Sequence, residues 1–265
     1  TALKYALPLF QPVNIKNDFE KIFVWQPDII VTCAYGQMVP KKVLDYPKYG
    51  SINVHGSLLP KYRGGAPIHQ AIMDGAKVTG ITVMYMAEKM DAGDIIAQKE
   101  LNINSFDDAG SVHDKLSILG GKLLLETLPE IFLGTNKRIK QNHAEATYAY
   151  NIRAVDEIID WTKAGSNVFN HIRGLCPNPG AYTVIDEKRV KIYKSEILAE
   201  VLCGEPGEII KVDKTGVVVK AGDNTGINLL EVKLEGRNRQ NIATLLNGNH
   251  PFETGKRFAV NKINK

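Results

Sequence analysis

Short apolar runs alternate with helical segments over the first 134 residues, and this alternation limits the fold more than any other feature. The β-branched run in "QPDIIVTCAYG" predicts a buried strand at about 28–34, and "YGSINVHGS" predicts another at 51–55. Helical spacing separates the two strands in "VPKKVLDYPKYG". Because strands that alternate with helices need crossover connections, the pattern predicts a mostly parallel α/β sheet with helices on both faces.

The alternation continues as far as Gly134. The stretch "GGAPIHQAIMDG" predicts a short helix with Pro67 in its first turn and Gly75 after its end. Two strands are predicted from "TGITVMYM" and "DIIAQKELNI". Apolar residues at three- and four-residue steps then predict a long helix, with Ser105 or Asp107 as its N-cap and Gly134 as its stop.

The pattern changes after Gly134. Residues 135–153 are polar and aperiodic, which is typical of a linker. A helix with one apolar face follows, and beyond it come short strands separated by turn residues, which indicate a small, mostly-β barrel. The predicted organisation is therefore an α/β domain at 1–134, a linker at 135–153 and a β domain at 154–265.

Composition narrows the class of protein. The chain is 44% hydrophobic and 23% charged, which is ordinary for a globular protein, and no apolar run approaches the roughly 20 residues of a membrane span. The start of the sequence lacks the pattern of a signal peptide. Cys33, Cys176 and Cys203 are widely spaced and form no CxxC, so we expect a reducing, cytoplasmic location and no disulfide framework.

The chain is mildly basic, with a formal net charge of +4 and a pI of about 8.8. From Asp186 onward it has 14 Lys and Arg against 11 Asp and Glu, including basic clusters at 235–241 and 253–265. A solvated surface is the simpler interpretation of each cluster, and contact with phosphates is the alternative.

Asn53 and His55 are the first candidate functional residues. Residues two apart in a strand share a face, so both side chains lie together near the carboxyl end of the predicted strand, where open α/β sheets place their ligands. An amide donates an N–H, and an imidazole can both donate and move a proton. The pair would suit a carbonyl oxygen that becomes negative, although a satisfied structural pair is an equal alternative.

A carboxylate from the next strand end could complete this site. The loop in "AEKMDAGDII" presents Asp91 and Asp94 after a predicted strand. A carboxylate beside an imidazole fixes its tautomer and favours the protonated ring. Turn formation is the alternative role, favoured for Asp94, while the residues alone leave Asp91 undecided.

Several common sites are absent from the sequence. The remaining histidines have no metal-ligand spacing such as HExxH, so we expect no metal. No GxGxxG, GxxxxGK[ST] or GxSxG occurs. The "RGG" at 63–65 is too short for an RNA-binding repeat and predicts a mobile loop.

Residues 27–96 resemble the formyltetrahydrofolate-dependent formyltransferase family. The similarity rests on Asn-x-His-x-Ser-Leu-Leu-Pro followed by Asp-x-Gly-Asp, and it resumes in "IDWTKAGSNVFNHIRGL" and "PGEIIKVDKTGVVVKAGDNTGINLLEVKLEG". It implies a Rossmann-like sheet followed by an OB-like barrel. In the family, a first strand, a glycine-containing turn and a basic loop precede the matched region, so the sheet is expected to lack its first strand–helix unit.

The resemblance also assigns residues. It implies a catalytic trio of Asn53, His55 and Asp91. The residues that it implies for folate binding are a turn and part of the loop after the first strand: Ser57, Leu58, Leu59, Pro60, Gln37 and Val39.

The activity that the resemblance implies is formyl transfer from 10-formyltetrahydrofolate to the α-amino group of initiator methionyl-tRNA, for translation initiation. It implies no metal, no membrane, a monomer, and a second domain that holds tRNA. Amino-sugar nucleotides, glycinamide ribonucleotide or water as acceptors are alternatives with the same core. A non-catalytic RNA- or folate-binding remnant is an alternative of another class.

Overall fold

The computed structural model describes residues 2–259, which form two units. The first unit contains residues up to 65 together with 80–101 and 116–149. The second contains 66–79, 102–115 and the residues from 150 onward. The predicted domain limits of 1–134, 135–153 and 154–265 stay a prediction, and the end of the basic cluster at 253–265 lies outside the described residues.

A four-stranded sheet with the order β1-β2-β3-β4 organises the first unit. Its strands are β1 (Ile30–Cys33), β2 (Ser51–His55), β3 (Val78–Tyr85) and β4 (Ile95–Asn102). Strand β2 pairs in parallel with β1 and antiparallel with β3, so the sheet is mixed where the pattern predicted mostly parallel strands. The segment between β2 and β3, which contains the short helix at Pro67–Met73, makes no crossover connection, so β3 runs antiparallel to β2.

The helices are mostly short. They are α1 (Ile15–Asp18), α2 (Glu20–Phe23), α3 (Lys41–Leu44), α4 (Pro67–Met73), α5 (Ala109–Leu133), α6 (Gly165–Gly174) and α7 (Ile242–Leu245). Single 3-10 turns occur at Ala2–Tyr5, His143–Glu145 and Ala154–Glu157. Within residues 2–259, no helix combines the length and apolar character needed to cross a membrane.

The long helix α5 ends where the sequence predicts and begins elsewhere. Gly134 follows its last turn with φ +69°, a left-handed conformation that favours glycine. The predicted N-cap, Ser105 or Asp107, is wrong: the Asp108 carboxylate accepts the Ser111 N–H at 2.7 Å. Asp107 instead pairs with Lys115 and accepts the backbone N–H of Asn104.

An antiparallel sheet organises the second unit, with the order β5-β6-β9-β8-β7 and β10 paired to β9. Its strands are β5 (Ala181–Ile185), β6 (Lys188–Val201), β7 (Ile209–Asp213), β8 (Gly216–Lys220), β9 (Thr225–Leu234) and β10 (Gln240–Asn241). Buried side chains of these strands pack with α6 and with Trp161, Phe252 and Phe258. An α/β sheet followed by a mostly-β unit confirms the predicted fold class.

The predicted barrel is not closed. Within residues 2–259 the end strands β5 and β7 do not pair with each other. The segment 255–259 bonds to both instead, because Gly255 donates its N–H to Ile209 O at 2.8 Å and Ala259 donates to Val184 O at 2.9 Å. An irregular segment therefore satisfies the two edges that a closed barrel would join.

We expect the three cysteines to differ in reactivity. Cys176 is buried, its thiol lies 3.3 Å from Asp108 Oδ2, and burial together with that carboxylate raises its pKa to about 12. Cys33 and Cys203 are exposed. Because only thiolates react readily, a thiol reagent at pH 8 should modify two cysteines in the native protein and the third only after unfolding. Mass spectrometry of the modified peptides measures this, and rapid native labelling of Cys176 would contradict it.

Candidate active site

The pairing of β1 with β2 places Asn53 beside Thr32. The Thr32 hydroxyl lies 2.9 Å from Asn53 Oδ1, so the oxygen end of the amide has a donor. Asn53 is half-buried, and among the described residues its Nδ2 has no hydrogen-bond partner. The amide is therefore oriented with its N–H groups available to a ligand.

His55 is buried at the end of β2, and the surroundings of its ring fix the tautomer. Nε2 lies 2.9 Å from the Tyr62 carbonyl, which can only accept, so Nε2 carries a proton. Nδ1 faces Asp91 Oδ2 at 3.7 Å. With Nε2 committed to the backbone, Nδ1 is the nitrogen at which the ring can gain or lose a proton.

Asp91 reaches the imidazole from the loop after β3. Its side chain is 12% exposed, and its Oδ2 accepts the Gly64 N–H at 2.8 Å. Gly64 has φ +118°, and a Cβ there would lie 2.5 Å from Ala149 O, so only glycine fits. Asp91 thus faces His55 at the end of β2, and Asn53 lies two residues earlier on the same strand, so the three residues form one candidate cluster whose catalytic role stays a prediction.

Arg63 and Gln141 are neighbours of this cluster that the sequence analysis did not identify. Arg63 is 4% exposed, and its guanidinium donates to Gln141 Oε1. The prediction of a mobile loop at 63–65 is therefore wrong at Arg63, whose side chain is buried and bonded. Arg63 lies three residues after the motif that ends at Pro60 and within the matched region 27–96, which was a usable signal. Gln141 lies in a polar aperiodic segment, where nothing in the sequence distinguished it.

Hydrogen bonds to other protein atoms hold the turn assigned to folate, residues 57–60, in place. Ser57 is fully buried and its hydroxyl donates to Lys61 O at 2.6 Å, while Leu59 is 3% exposed and its N–H donates to Thr82 Oγ1. The Leu58 side chain lies against Gly80. Leu58 and Pro60 are half-buried, so within this turn they retain accessible surface for a ligand.

Gln37 and Val39 lie in the loop after β1, which leaves the same edge of the sheet as the end of β2. Both are half-buried. The Gln37 amide accepts the Ile15 N–H at 2.9 Å and donates to Pro12 O at 3.4 Å. Its observed role is thus to hold the segment before α1.

Asp94 lies outside the cluster, with Oδ2 3.6 Å from Arg138 Nε. The Arg138 guanidinium also stacks 4.0 Å from the Tyr85 ring centroid. Over residues 2–259, no three His, Cys, Asp or Glu side chains are grouped so that they could hold a metal ion.

The cluster offers three distinct functions at one place. Asn53 presents an uncharged N–H donor, His55 a nitrogen that can exchange a proton, and Asp91 a carboxyl group that can accept a hydrogen bond. A donor and a protonatable ring can stabilise an oxyanion and protonate a leaving group, whereas a carboxylate can take a proton from a nucleophile. This set is suited to transfer of an acyl group without a covalent enzyme intermediate.

Comparison with known proteins decides the family. Residues 15–128 match the model described as "Formyl transferase", and residues 151–250 match "Formyl transferase, C-terminal domain". Two curated relatives, both named methionyl-tRNA formyltransferase, come from Staphylococcus aureus strains bovine RF122 / ET3-1 and MW2. Each is 48% identical over 97% of this chain and 83% of its own length. The chain belongs to the methionyl-tRNA formyltransferase family.

Solved structures agree with the fold of this formyltransferase family member. HypX from Aquifex aeolicus in complex with tetrahydrofolic acid has a TM-score of 0.66 and 20% identity, and the match covers 86% of this chain and 40% of HypX. A 4-N formyltransferase from Francisella tularensis has a TM-score of 0.58 and 27% identity over 66% of this chain and 72% of its own. The predicted family is confirmed.

Proposed function

We propose that this chain transfers a formyl group from 10-formyltetrahydrofolate to the α-amino group of initiator methionyl-tRNA, and that Asn53, His55 and Asp91 carry the reaction. The supporting observation is the convergence of amide, imidazole and carboxylate, with the His55 Nδ1 to Asp91 Oδ2 distance at 3.7 Å. The 48% identity to curated methionyl-tRNA formyltransferases supports the choice of acceptor.

Each of the three residues has one role in the proposed reaction. The amine attacks the formyl carbon, and Asn53 Nδ2 donates a hydrogen bond to the oxygen that becomes negative. His55 holds a proton at Nδ1, since Nε2 is bound to Tyr62 O. Asp91 balances the charge of the ring and accepts the proton that the attacking amine loses.

The proposed step balances without a metal or an oxidant. A bond forms between the amine nitrogen and the formyl carbon, and the bond from that carbon to N10 of the folate breaks. The amine loses one proton through Asp91, and N10 gains one from His55. A proton returned from Asp91 to His55 Nδ1 restores both groups.

We propose that the folate lies along the edge formed by the turn 57–60 and the loop after β1. Ser57 and Leu59 would shape this turn from beneath, because they are buried and internally bonded. Leu58 and Pro60 would supply contacts, as would Gln37 and Val39, which are half-buried. The solved HypX complex contains tetrahydrofolic acid, which supports a folate ligand for this fold.

For the tRNA we propose a basic face on the second sheet, defined as Arg189, Lys191, Lys233 and Arg239. Lys191 and Lys233 are cross-strand neighbours on β6 and β9. Arg189 stacks 4.1 Å from the Tyr182 ring and Arg239 4.2 Å from the Tyr193 ring. Cations with aromatic rings beside them suit phosphates and unstacked bases.

A formylation assay tests the proposed function. Purified protein is given 10-formyltetrahydrofolate with initiator methionyl-tRNA or, separately, with an amino-sugar nucleotide, and the N-formyl product is measured. We expect formylmethionyl-tRNA and no formyl sugar. Formylation of the sugar alone would establish the first alternative, and no product with either acceptor would favour a non-catalytic remnant.

Binding of tRNA should weaken steeply with salt. If the basic face contacts about four phosphates, affinity should fall at least about tenfold between 50 and 200 mM salt. Lys233→Ala should reduce the slope of log affinity against log salt by about one. The matched control is Lys214→Ala in the β7–β8 turn, which should leave the slope unchanged. A flat salt response would exclude the proposed phosphate contacts.

The cytoplasmic location and the monomeric state expected from the sequence remain predictions.

A further inference from the structure

Gln141 uses every hydrogen-bonding position of its amide within the first unit. Its Nε2 donates to Asp91 O at 2.9 Å and to Gly93 O at 2.7 Å. Its Oε1 accepts from Arg63 Nε at 3.1 Å and Nη2 at 2.6 Å. Gln141 is 7% exposed and Arg63 4%, so the whole connection is shielded from water. Buried bonds of this kind fix the groups that they join, because a lost partner leaves a desolvated polar atom.

The backbone that Gln141 holds is the part of the loop that presents Asp91. Asp91 has φ +50°, a left-handed conformation that a residue with a side chain keeps only where the surroundings hold it. Gly93 is packed so closely that a Cβ would lie 1.9 Å from Tyr85 O. The two Gln141 bonds thus hold the carbonyls on both sides of Ala92 and set the direction of the Asp91 side chain.

Arg63 connects Gln141 to Gly64, the second residue that contacts Asp91. It is followed by Gly64, whose N–H donates to Asp91 Oδ2. The Arg63 backbone is paired with the segment after Gln141, through bonds to Thr147 O at 2.9 Å and from the Ala149 N–H at 2.7 Å. One guanidinium–amide contact therefore joins the loop carrying Asp91 to the loop that donates to its carboxylate.

We propose that Arg63 and Gln141 are positioning residues of the active site, which together hold the Asp91 carboxylate at its place beside His55 Nδ1. The inference rests on the proposed function, in which Asp91 takes part in the reaction. Neither residue touches the reacting atoms. Their effect is on the direction of one carboxylate, so they should influence turnover rather than substrate affinity.

Gln141→Glu separates positioning from packing. Glutamate keeps the size of the side chain and the acceptor for Arg63, but it replaces the two N–H donors with an oxygen that faces the Asp91 and Gly93 carbonyls. A packing role, or a role limited to pairing Arg63, predicts activity close to the unchanged protein. The positioning role predicts that kcat falls about tenfold or more while KM for both substrates stays within about twofold.

The control is Gln26→Glu, the same chemical change at an exposed glutamine that has no side-chain hydrogen bond among the described residues. It should leave kcat unchanged. A double variant tests the route of the effect: Asp91→Asn/Gln141→Glu should be no slower than Asp91→Asn alone, because the groups act as one unit. Additive losses, or a Gln141→Glu kcat within twofold of the unchanged protein, would overturn the proposal.

An NMR measurement that does not depend on turnover separates a failure of the positioning proposal from a failure of the proposed function. The Gly64 amide proton, which donates to a carboxylate, should move upfield in the NMR spectrum of Gln141→Glu and stay in place in Gln26→Glu. If Gln141→Glu does not fold, Arg63→Lys keeps the charge but loses the two-point contact, and it should give the same shift. An unmoved Gly64 signal in the folded variant would overturn the proposal. Absence of formylation by the unchanged protein, with the shift present, would overturn the function alone.

Discussion

Replacing His55 with alanine should lower kcat for formyl transfer at least about a hundredfold, because the change removes the nitrogen that holds the transferable proton. KM for the folate should change little, since the ring is bound to Tyr62 O and to Asp91 rather than to the turn assigned to folate. Steady-state kinetics with saturating methionyl-tRNA measure both quantities.

The matched control for this change is His113→Ala, an exposed histidine on α5. It should keep full activity. Thermal unfolding of both variants shows whether the lost bond to Tyr62 O lowers stability, because a loss of stability alone would reduce active enzyme without changing kcat per folded molecule. If folded His55→Ala retains near-native kcat, the imidazole has no part in the mechanism.

Asn53→Asp should be equally damaging for a different reason. The Thr32 hydroxyl can still donate to one carboxylate oxygen, so the strand pairing is preserved. The amide N–H is replaced by a negative oxygen, which would repel the developing oxyanion instead of stabilising it. Loss of one preorganised donor costs about 2.7–4 kcal/mol of transition-state stabilisation, so kcat should fall at least about a hundredfold.

Asn17→Asp provides the same chemical change at an exposed residue of α1 and should leave kcat unaltered. Folate affinity, measured by fluorescence quenching or equilibrium dialysis, should be similar in both variants. A folded Asn53→Asp protein with normal kcat would remove the amide from the reaction and would leave Asn53 as a structural partner of Thr32.

Local elements were predicted from the sequence because their causes lie within a few residues. Strand β2 is observed at Ser51–His55, as its apolar run predicts, and α4 begins at Pro67. The stop of α5 at Gly134 follows from the freedom of glycine at positive φ. In each case the residue type at a position determines the backbone conformation at that same position.

The N-cap of α5 depends on contacts that lie outside the local sequence. Asp107 and Asp108 are both suitable caps by residue type, and the sequence offered Ser105 as well. Arg173 selects between them, because its Nη1 donates to Asn104 O at 3.1 Å and to Asp107 O at 2.9 Å and holds that turn outside the helix. The turn before the helix is therefore held in part by a residue 66 positions away.

The sequence by itself determined the chemistry available at the site. The two-residue period of a strand puts Asn53 and His55 on one face, and the loop after a second strand offers Asp91 as a candidate, which the family resemblance rather than the residues alone selects. Tertiary structure alone decided what each atom does: Tyr62 O fixes the His55 tautomer, Thr32 orients the Asn53 amide, and Gln141 holds the Asp91 loop. These contacts join residues that are up to 50 positions apart, and hydrogen bonds at that separation depend on the path of the whole backbone rather than on neighbouring residue types.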